Sequence, residues 1–301
     1  MCNEPLILGS RASALAMAQT QLVIDFLREK YPERPVTMLA MKTTGDRILD
    51  RKLDEIGGKG LFVKELDAAL LEGRTHYSVH SLKDVPMELP EGLPLVCCSR
   101  REDPRDALVL PAGAREIDFS RPIGTSSPRR LVQLRTLFPG AKFESVRGNL
   151  QTRLRKLDEG QFGALVLAAA GLKRMGLQDR ISRLFGVDEM IPAAGQGILA
   201  VQGTLRSEPE LFEGFADPDS MVSARAERAF VRRLQGSCAS PIAACALREG
   251  DAFTLRGLYW HDATGKYYTA RARLTAEDAV QAAEAMADEL KRRAAEEEMQ
   301  R

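Results

Sequence analysis

Apolar positions fall in two rhythms along this chain. Short continuous runs, as in strands buried on both faces, alternate with stretches where apolar residues recur at helical spacing. Pro5–Gly9, Val36–Met41, Ser78–Ser81 and Leu93–Cys98 are of the first kind. Ala12–Lys30, with Leu15, Leu22 and Phe26 near helical spacing, and Leu61–Leu71, stopped at Gly73, are of the second. This βαβα order predicts a largely parallel sheet with helices on both faces. Thr43–Gly60 holds Gly45, Gly57, Gly58 and Gly60 among many charges, and is expected to be a mobile loop.

After a charged break at Arg100–Asp106, containing Pro104, the pattern restarts. Ile123–Gly124 ends a strand, and Ser126 and Ser127 ahead of Pro128 open a helix, with serine at the N-cap and proline at N1. Lys142–Val146 reads as a strand, Asn149 as the cap of a helix stopped at Gly160, and Ala164–Ala170 as a buried parallel strand. From Ser220 the rhythm changes. A helix, Ser220–Leu234, leads to a loop holding Cys238, then to strands Ile242–Leu247, Phe253–Tyr259 and Tyr267–Leu274. A last helix starts after Thr275, and its charged tail, Asp288–Arg301, reads as a solvated helix end. The predicted class is α/β: two α/β lobes plus a smaller C-terminal α+β domain.

Charge narrows the function. Lys and Arg number 43 against 42 Asp and Glu, so no global field draws the chain to nucleic acid or an anionic membrane. Aromatics are sparse, at 6%, with no interleaved basic–aromatic motif for RNA. The longest apolar stretch, Gly163–Leu172, is about half of the ~20 residues a spanning helix needs. The N-terminus lacks the basic start of an export signal, so a cytoplasmic location is expected. The five cysteines (Cys2, Cys97, Cys98, Cys238, Cys245) form an odd set without CxxC spacing and read as thiols. With three histidines and no HExxH motif, no metal is expected.

Anion recognition must therefore be local. Arginines recur beside small hydroxyl, Gly or Asn residues where a strand turns into a helix: Gly9–Ser13 with Arg11, Thr125–Arg130, and Arg147-Gly148-Asn149 with Arg153 one turn on. Free N–H groups and guanidinium forks at such turns suit carboxylates or phosphates, although each turn alone also reads as ordinary capping. Gly57-Gly58-Lys59-Gly60 lacks phosphate-loop spacing, and Gly195-Gln196-Gly197 lacks dinucleotide-binding spacing. Lys83-Asp84, after a strand, reads equally as a surface ion pair or as a catalytic carboxylate beside a cation. Cys238, in the small-residue loop Gly236–Pro241, is either a plain thiol or a nucleophile or anchor. His76, His80 and His261 have no evident Ser or Cys partner for acyl transfer.

Taken together, these blocks resemble the porphobilinogen deaminase (hydroxymethylbilane synthase) family over nearly the whole chain. The likeness runs through Gly9–Ser13, Gly57–Glu65, His80–Pro86, Arg101–Asp106, Gly124–Arg130, Arg147–Asn149, Ala170–Arg174, Pro192–Gly197 and Cys238–Pro241. The resemblance implies two lobes like those of periplasmic binding proteins, 1–99 with 196–216 and 100–195, and a third domain, 217–301. It implies a transferase of tetrapyrrole (heme, porphyrin) biosynthesis, joining four porphobilinogen molecules head to tail with release of four ammonia. The primer would be one dipyrromethane cofactor per chain, held on Cys238 by a thioether. By motif position Asp84 would be the catalytic carboxylate. Arg11, Ser13, Lys83, Thr125, Ser126, Ser127, Arg129, Arg130, Arg147, Arg153 and Arg174 would bind the cofactor's and substrate's acids, with Lys59 on a loop over the cleft. A monomer without nucleic-acid or membrane partners is implied. Two departures stand out. Pro128 occupies an apolar position, and Ser237 precedes the cysteine where glycine is usual, which constrains the loop if its φ must be positive. The rival reading, a non-catalytic two-lobed receptor for a small polyanion, has no use for the third domain or its cysteine loop.

Overall fold

The short apolar runs each contain a strand, and hydroxyl or amide side chains start three of the helices that follow. A computed structural model describes residues 5–47, 63–237 and 240–300. The chain order begins β1 (Leu6–Arg11), α1 (Ala14–Lys30), β2 (Val36–Met41), α2 (Thr44–Arg47), α3 (Lys64–Leu71), β3 (Tyr77–Ser81) and β4 (Leu95–Cys98). It continues β5 (Asp106–Val109), β6 (Ile123–Gly124), α4 (Pro128–Leu137), β7 (Phe143–Glu144), α5 (Leu150–Asp158), β8 (Ala164–Ala168), α6 (Ala169–Arg174), β9 (Arg183–Leu184) and β10 (Leu199–Gln202). It closes with α7 (Pro218–Arg233), β11 (Ala243–Glu249), β12 (Ala252–His261), β13 (Lys266–Leu274) and α8 (Ala279–Met299). Most of the expected loop at Thr43–Gly60 lies outside the described residues, and its first part is the helical turn α2.

The chain divides into two compact units, Met1–Glu102 with Ile198–Met221, and Asp103–Gly197 with Val222–Arg301. The first holds a five-stranded sheet in the order β2-β1-β3-β10-β4. The second holds a five-stranded sheet in the order β7-β6-β8-β5-β9 and the three-stranded sheet β11-β12-β13. Both large sheets are mixed rather than largely parallel. β1 pairs parallel with β2 and β3, but β10 runs antiparallel to β3 and β4. β6 pairs parallel with β7 and β8, but β5 runs antiparallel to β8 and β9. β5 and β10 each begin just after the chain has passed from one unit to the other. Such a strand arrives without a helical crossover, so parallel pairing is not imposed on it.

In the second unit's large sheet, alternate residues serve opposite faces. Ala107, Val109, Leu165 and Leu167 join one core with Leu154 and Leu157 of α5. Leu108, Leu110, Ala164 and Val166 join another with Leu134 of α4 and Phe185. In the first unit, Val23, Ile24 and Leu27 of α1 pack on Leu6, Leu8, Tyr77 and Val79. A further core, made by Val132 of α4 and Ile191 with Ala243, Cys245 and Leu258, fixes the small sheet to α4. Cys97, Cys98 and Cys245 are buried thiols outside any disulfide, and burial pushes Cys97 up to about 12, with Cys98 adding to the effect. Such a thiol behaves as a small hydrophobe.

The charged C-terminal tail is not simply solvated. α8 packs on β12 and β13 and buries Ala279, Ala283, Met286, Ala287, Leu290 and Ala294 along one stripe. The charges that dominate the sequence there occupy the other face, as in the Arg292–Glu296 pair. Leu290→Ala is expected to cost about 3 kcal/mol of unfolding free energy, against less than about 0.5 kcal/mol for Arg292→Ala. Urea denaturation of both variants checks this, and equal small losses would return the tail to solvent.

Candidate active site

In the first unit, β1 carries Arg11 at its end, and Ser13 caps α1 by accepting the Ala16 N–H at 3.3 Å. β3 leads into a single 3₁₀ turn, Leu82–Asp84. The Leu82 N–H donates to Ile198 O at 3.0 Å, and the Val85 N–H closes the turn on Leu82 O at 3.1 Å. Leu82 and Val85 are buried. Lys83 and Asp84 are therefore displayed, half-buried, between two anchored apolar residues. The Asp84 carboxylate has no hydrogen bond from a described residue.

His80 lies behind this turn, buried, with Nε2 3.1 Å from Gln202 Oε1. The Gln202 amide donates to Leu93 O at 3.1 Å, so its oxygen accepts and His80 Nε2 carries the proton. Burial pushes His80 down to about 4, although Gln202 and Asp84 act the other way. The His80 ring is thus held neutral at about pH 7. Asp67 on α3 is pushed up to about 6 by burial, opposed by a hydrogen bond from Gln202.

In the second unit, β6 ends at Gly124 and the Thr125–Ser127 turn starts α4. Ser127 accepts the Arg130 N–H at 3.4 Å, and Pro128 fits N1. Thr125 Oγ1 accepts from Ser127 N at 3.3 Å. Ser126 Oγ donates to Val146 O at 2.6 Å, tying this turn to the next. There Asn149 caps α5 by accepting the Thr152 N–H at 2.9 Å. Arg153 Nε donates to Gly148 O at 2.8 Å, and Lys156 Nζ to Arg147 O at 3.3 Å. Gly148 has φ +111°, and a Cβ there would lie 2.7 Å from Thr152 Cγ2, so this turn requires glycine. Arg174, at the end of α6, donates to Gly197 O at 2.6 Å.

Arg129 and Arg130 are placed differently from the other arginines. Both are buried and share the fully buried Asp106: Arg129 Nη1 lies 2.7 Å from Oδ2, and Arg130 Nη2 lies 2.7 Å from Oδ1. Their remaining bonds go to Ile191 O and Val166 O. Burial alone would raise the Asp106 carboxyl, but the two guanidiniums outweigh it and hold it far below the carboxylate range. Sequence reasoning missed Asp106 as a partner, and also Gln196, although both sit inside recognised blocks.

Cys238 and Lys59 lie outside the described residues. Of the cysteine's neighbours, Ser240 N donates to Ser237 O at 3.1 Å. Among the described residues of this loop the left-handed one is Gln235, with φ 56°, and not Ser237, so serine at 237 carries no strain. Gly236 is needed for space, since a Cβ there would press on Ile242 and Val231. Among the described residues no group of His, Cys, Asp and Glu could hold a metal ion, and no helix is long and apolar enough to cross a membrane.

Arg174 stands at the far end of α6, whereas Arg11 ends β1, Asp84 follows β3, and the Thr125–Ser127 and Arg147–Asn149 turns follow β6 and β7. The latter are at the carboxyl ends of each unit's parallel strands, where α/β folds bind ligands. Each unit by itself is an α/β sheet that presents cationic, hydroxyl or helix-start N–H groups at strand ends, and the first also displays the Asp84 carboxylate. A family model described as porphobilinogen deaminase, dipyromethane cofactor binding domain, matches residues 6–210, and the family's C-terminal domain matches residues 221–292. A porphobilinogen deaminase of Acetivibrio thermocellus is 51% identical over 86% of this chain and 89% of its own length. One of Thiobacillus denitrificans is 47% identical over 95% and 94%. The chain belongs to the porphobilinogen deaminase family. The periplasmic aliphatic sulphonate binding protein SsuA of Escherichia coli overlaps 78% of this chain and 71% of its own, at 11% identity and a TM-score of 0.41. That overlap is loose, and the architecture rests on the strand topology itself.

The fold favours neutral His80, so its stabilising share is complete above the ordinary imidazole value of 6.5 and is lost as pH falls toward about 4. Nitrogen-15 NMR is expected to show an Nε2-protonated, neutral ring at pH 7 that stays neutral to about pH 5. A ring already charged at about pH 6 would overturn this assignment.

Proposed function

We propose that this chain is a hydroxymethylbilane synthase: it joins four porphobilinogen molecules head to tail, releasing four ammonia, on a dipyrromethane held by Cys238 through a thioether. The carrying observation is Asp84, displayed beside Lys83 at the end of β3 between two buried anchors. The donor set suits the cofactor. Dipyrromethane and porphobilinogen carry acetate and propionate groups, which need cationic forks, and pyrrole N–H groups, which need an acceptor. When bound, dipyrromethane supplies a free pyrrole α-carbon as the first nucleophile.

The chain's own residues do the rest. Arg11, Ser13, Lys83, Thr125, Ser126, Ser127, Arg147, Arg153 and Arg174 hold substrate and cofactor acids, with Arg129 and Arg130 behind them, and Lys59 acts from its own segment. Asp84 accepts hydrogen bonds from the pyrrole N–H of the porphobilinogen losing ammonia, and so stabilises the positive charge that develops on the ring. The same carboxylate can take the proton released when the new carbon–carbon bond rearomatises. Neutral His80 holds no positive charge that would compete with the ring for Asp84.

The working protein is read as three domains, 1–99 with 196–216, 100–195 and 217–301. It acts as a cytoplasmic monomer without nucleic-acid or membrane partners. A near-zero net charge supports the last point, and the family resemblance supports the monomer.

Asp84→Asn is expected to lower kcat by about a thousandfold or more while the unfolding midpoint stays near wild type. A variant with near-normal kcat would remove Asp84 from the chemistry. Intact-mass measurement should show wild type heavier than its polypeptide by one dipyrromethane and Cys238→Ser at bare polypeptide mass. A dipyrromethane adduct retained by Cys238→Ser would move the anchor elsewhere.

A further inference from the structure

Gly195-Gln196-Gly197 fits no dinucleotide motif, yet the structure gives it a definite job. Gly195 and Gly197 have φ +74° and +91°, values that side chains rarely adopt. Between them Gln196 is buried, 1% exposed, and its amide donates to Asp106 Oδ1 at 2.9 Å and to Pro104 O at 2.7 Å. The carbonyl of Gly197 is the acceptor for Arg174. One loop therefore fixes Asp106 through a side chain and Arg174 through its backbone.

Asp106 in turn orders Arg129 and Arg130, the second and third residues of α4, behind the Thr125–Ser127 turn. Gln133, one turn along α4, donates to Ile191 O at 3.1 Å and accepts the Ile191 N–H at 2.7 Å. This holds in place the carbonyl that Arg129 also uses. Two guanidiniums share one carboxylate, so these three groups carry one surplus positive charge; a further buried acid against this loop, Glu227, is held by the Gly195 and Ala246 N–H groups at 2.6 and 2.7 Å and not by either guanidinium among the described bonds. A buried surplus charge is costly unless a counter-ion approaches. The adjoining face of α4 is its N-terminus, where the Ser127 cap and the helix dipole also favour an anion.

We propose that Gln196 and Asp106 are positioning residues for carboxylate binding. They clamp Arg129, Arg130 and the start of α4 so that the surplus charge acts on a ligand carboxylate at the Thr125–Ser127 turn, while the two forks stay on Asp106. Gln196 and Asp106 touch no substrate. This rests on the proposed reading of these turns as carboxylate sites.

The test compares the holoenzyme with its Gln196→Met and Asp106→Asn variants well below their unfolding midpoints. Calorimetry measures the affinity for a porphobilinogen analogue lacking the aminomethyl group, which keeps both acids and cannot polymerise. Steady-state kinetics measures KM and kcat separately. For Gln196→Met, whose side chain is nearly isosteric and uncharged, Kd and KM should each rise about tenfold, with kcat within about threefold of wild type. Asp106→Asn should show a larger rise wherever it folds. If it does not fold, Gln196→Met decides alone. Wild-type Kd and KM in Gln196→Met would overturn the inference, whatever its unfolding midpoint. Failure of wild type to bind the analogue would sink the carboxylate reading of the turns as well.

Discussion

The Asp106 carboxylate is fully buried, yet it is kept ionised by two guanidiniums and an amide. Around it meet the start of β5, the first turn of α4, a carbonyl of β8 and the Gly195–Gly197 loop. Removing one partner from such a buried set leaves a stranded charge, at a cost of about 3–5 kcal/mol. Apolar packing alone would leave α4 free to slide along the sheet by a fraction of a turn. The ion cluster removes that freedom, because each guanidinium must also reach a specific carbonyl, Ile191 for Arg129 and Val166 for Arg130. The small C-terminal sheet inherits this precision, since its shared core with the second lobe runs through Val132 of the same helix and through Ile191.

The first unit solves a different problem. For Asp84 to serve in the role proposed above, no nearby cation should compete for its carboxylate. Burial drives His80 toward its neutral form and raises Asp67, with Gln202 between them satisfying the imidazole and the Leu93 carbonyl. Asp84 is left as the displayed acid of the turn.

Much of this was legible in the chain. Hydroxyl–proline and asparagine signals located the starts of α4 and α5, because capping is a local matter decided by a few residues. The recognised blocks found the family. What escaped was non-local. β5, β9 and β10 are four residues or fewer, and β5 and β10 follow crossings between units, so neither periodicity nor a preceding helix announces them. The described part of the Asp288–Arg301 tail is mostly exposed, as its charge implies, but charge density hides Leu290 and Ala294, which continue the buried stripe of α8 and which only the neighbouring sheet makes meaningful. Arg129 and Arg130 look like free forks in sequence, since their acid lies over 20 positions away on another element.

A nearly neutral protein can therefore handle a polyanion without a basic surface. The surplus charge is not spread over the molecule, where salt would screen it. It is placed at strand ends and, at one of them, buried behind a helix start where screening is weak. A buried surplus cation is tolerable only if surrounding dipoles hold it in place, and here carbonyls, a glutamine amide and a capped helix do so. The same features that look like structural reinforcement, a glutamine between two left-handed glycines and an aspartate with no access to solvent, thus become part of ligand recognition. Fold and proposed site in this unit share one set of bonds, so a substitution that loosens the cluster is felt in both stability and affinity.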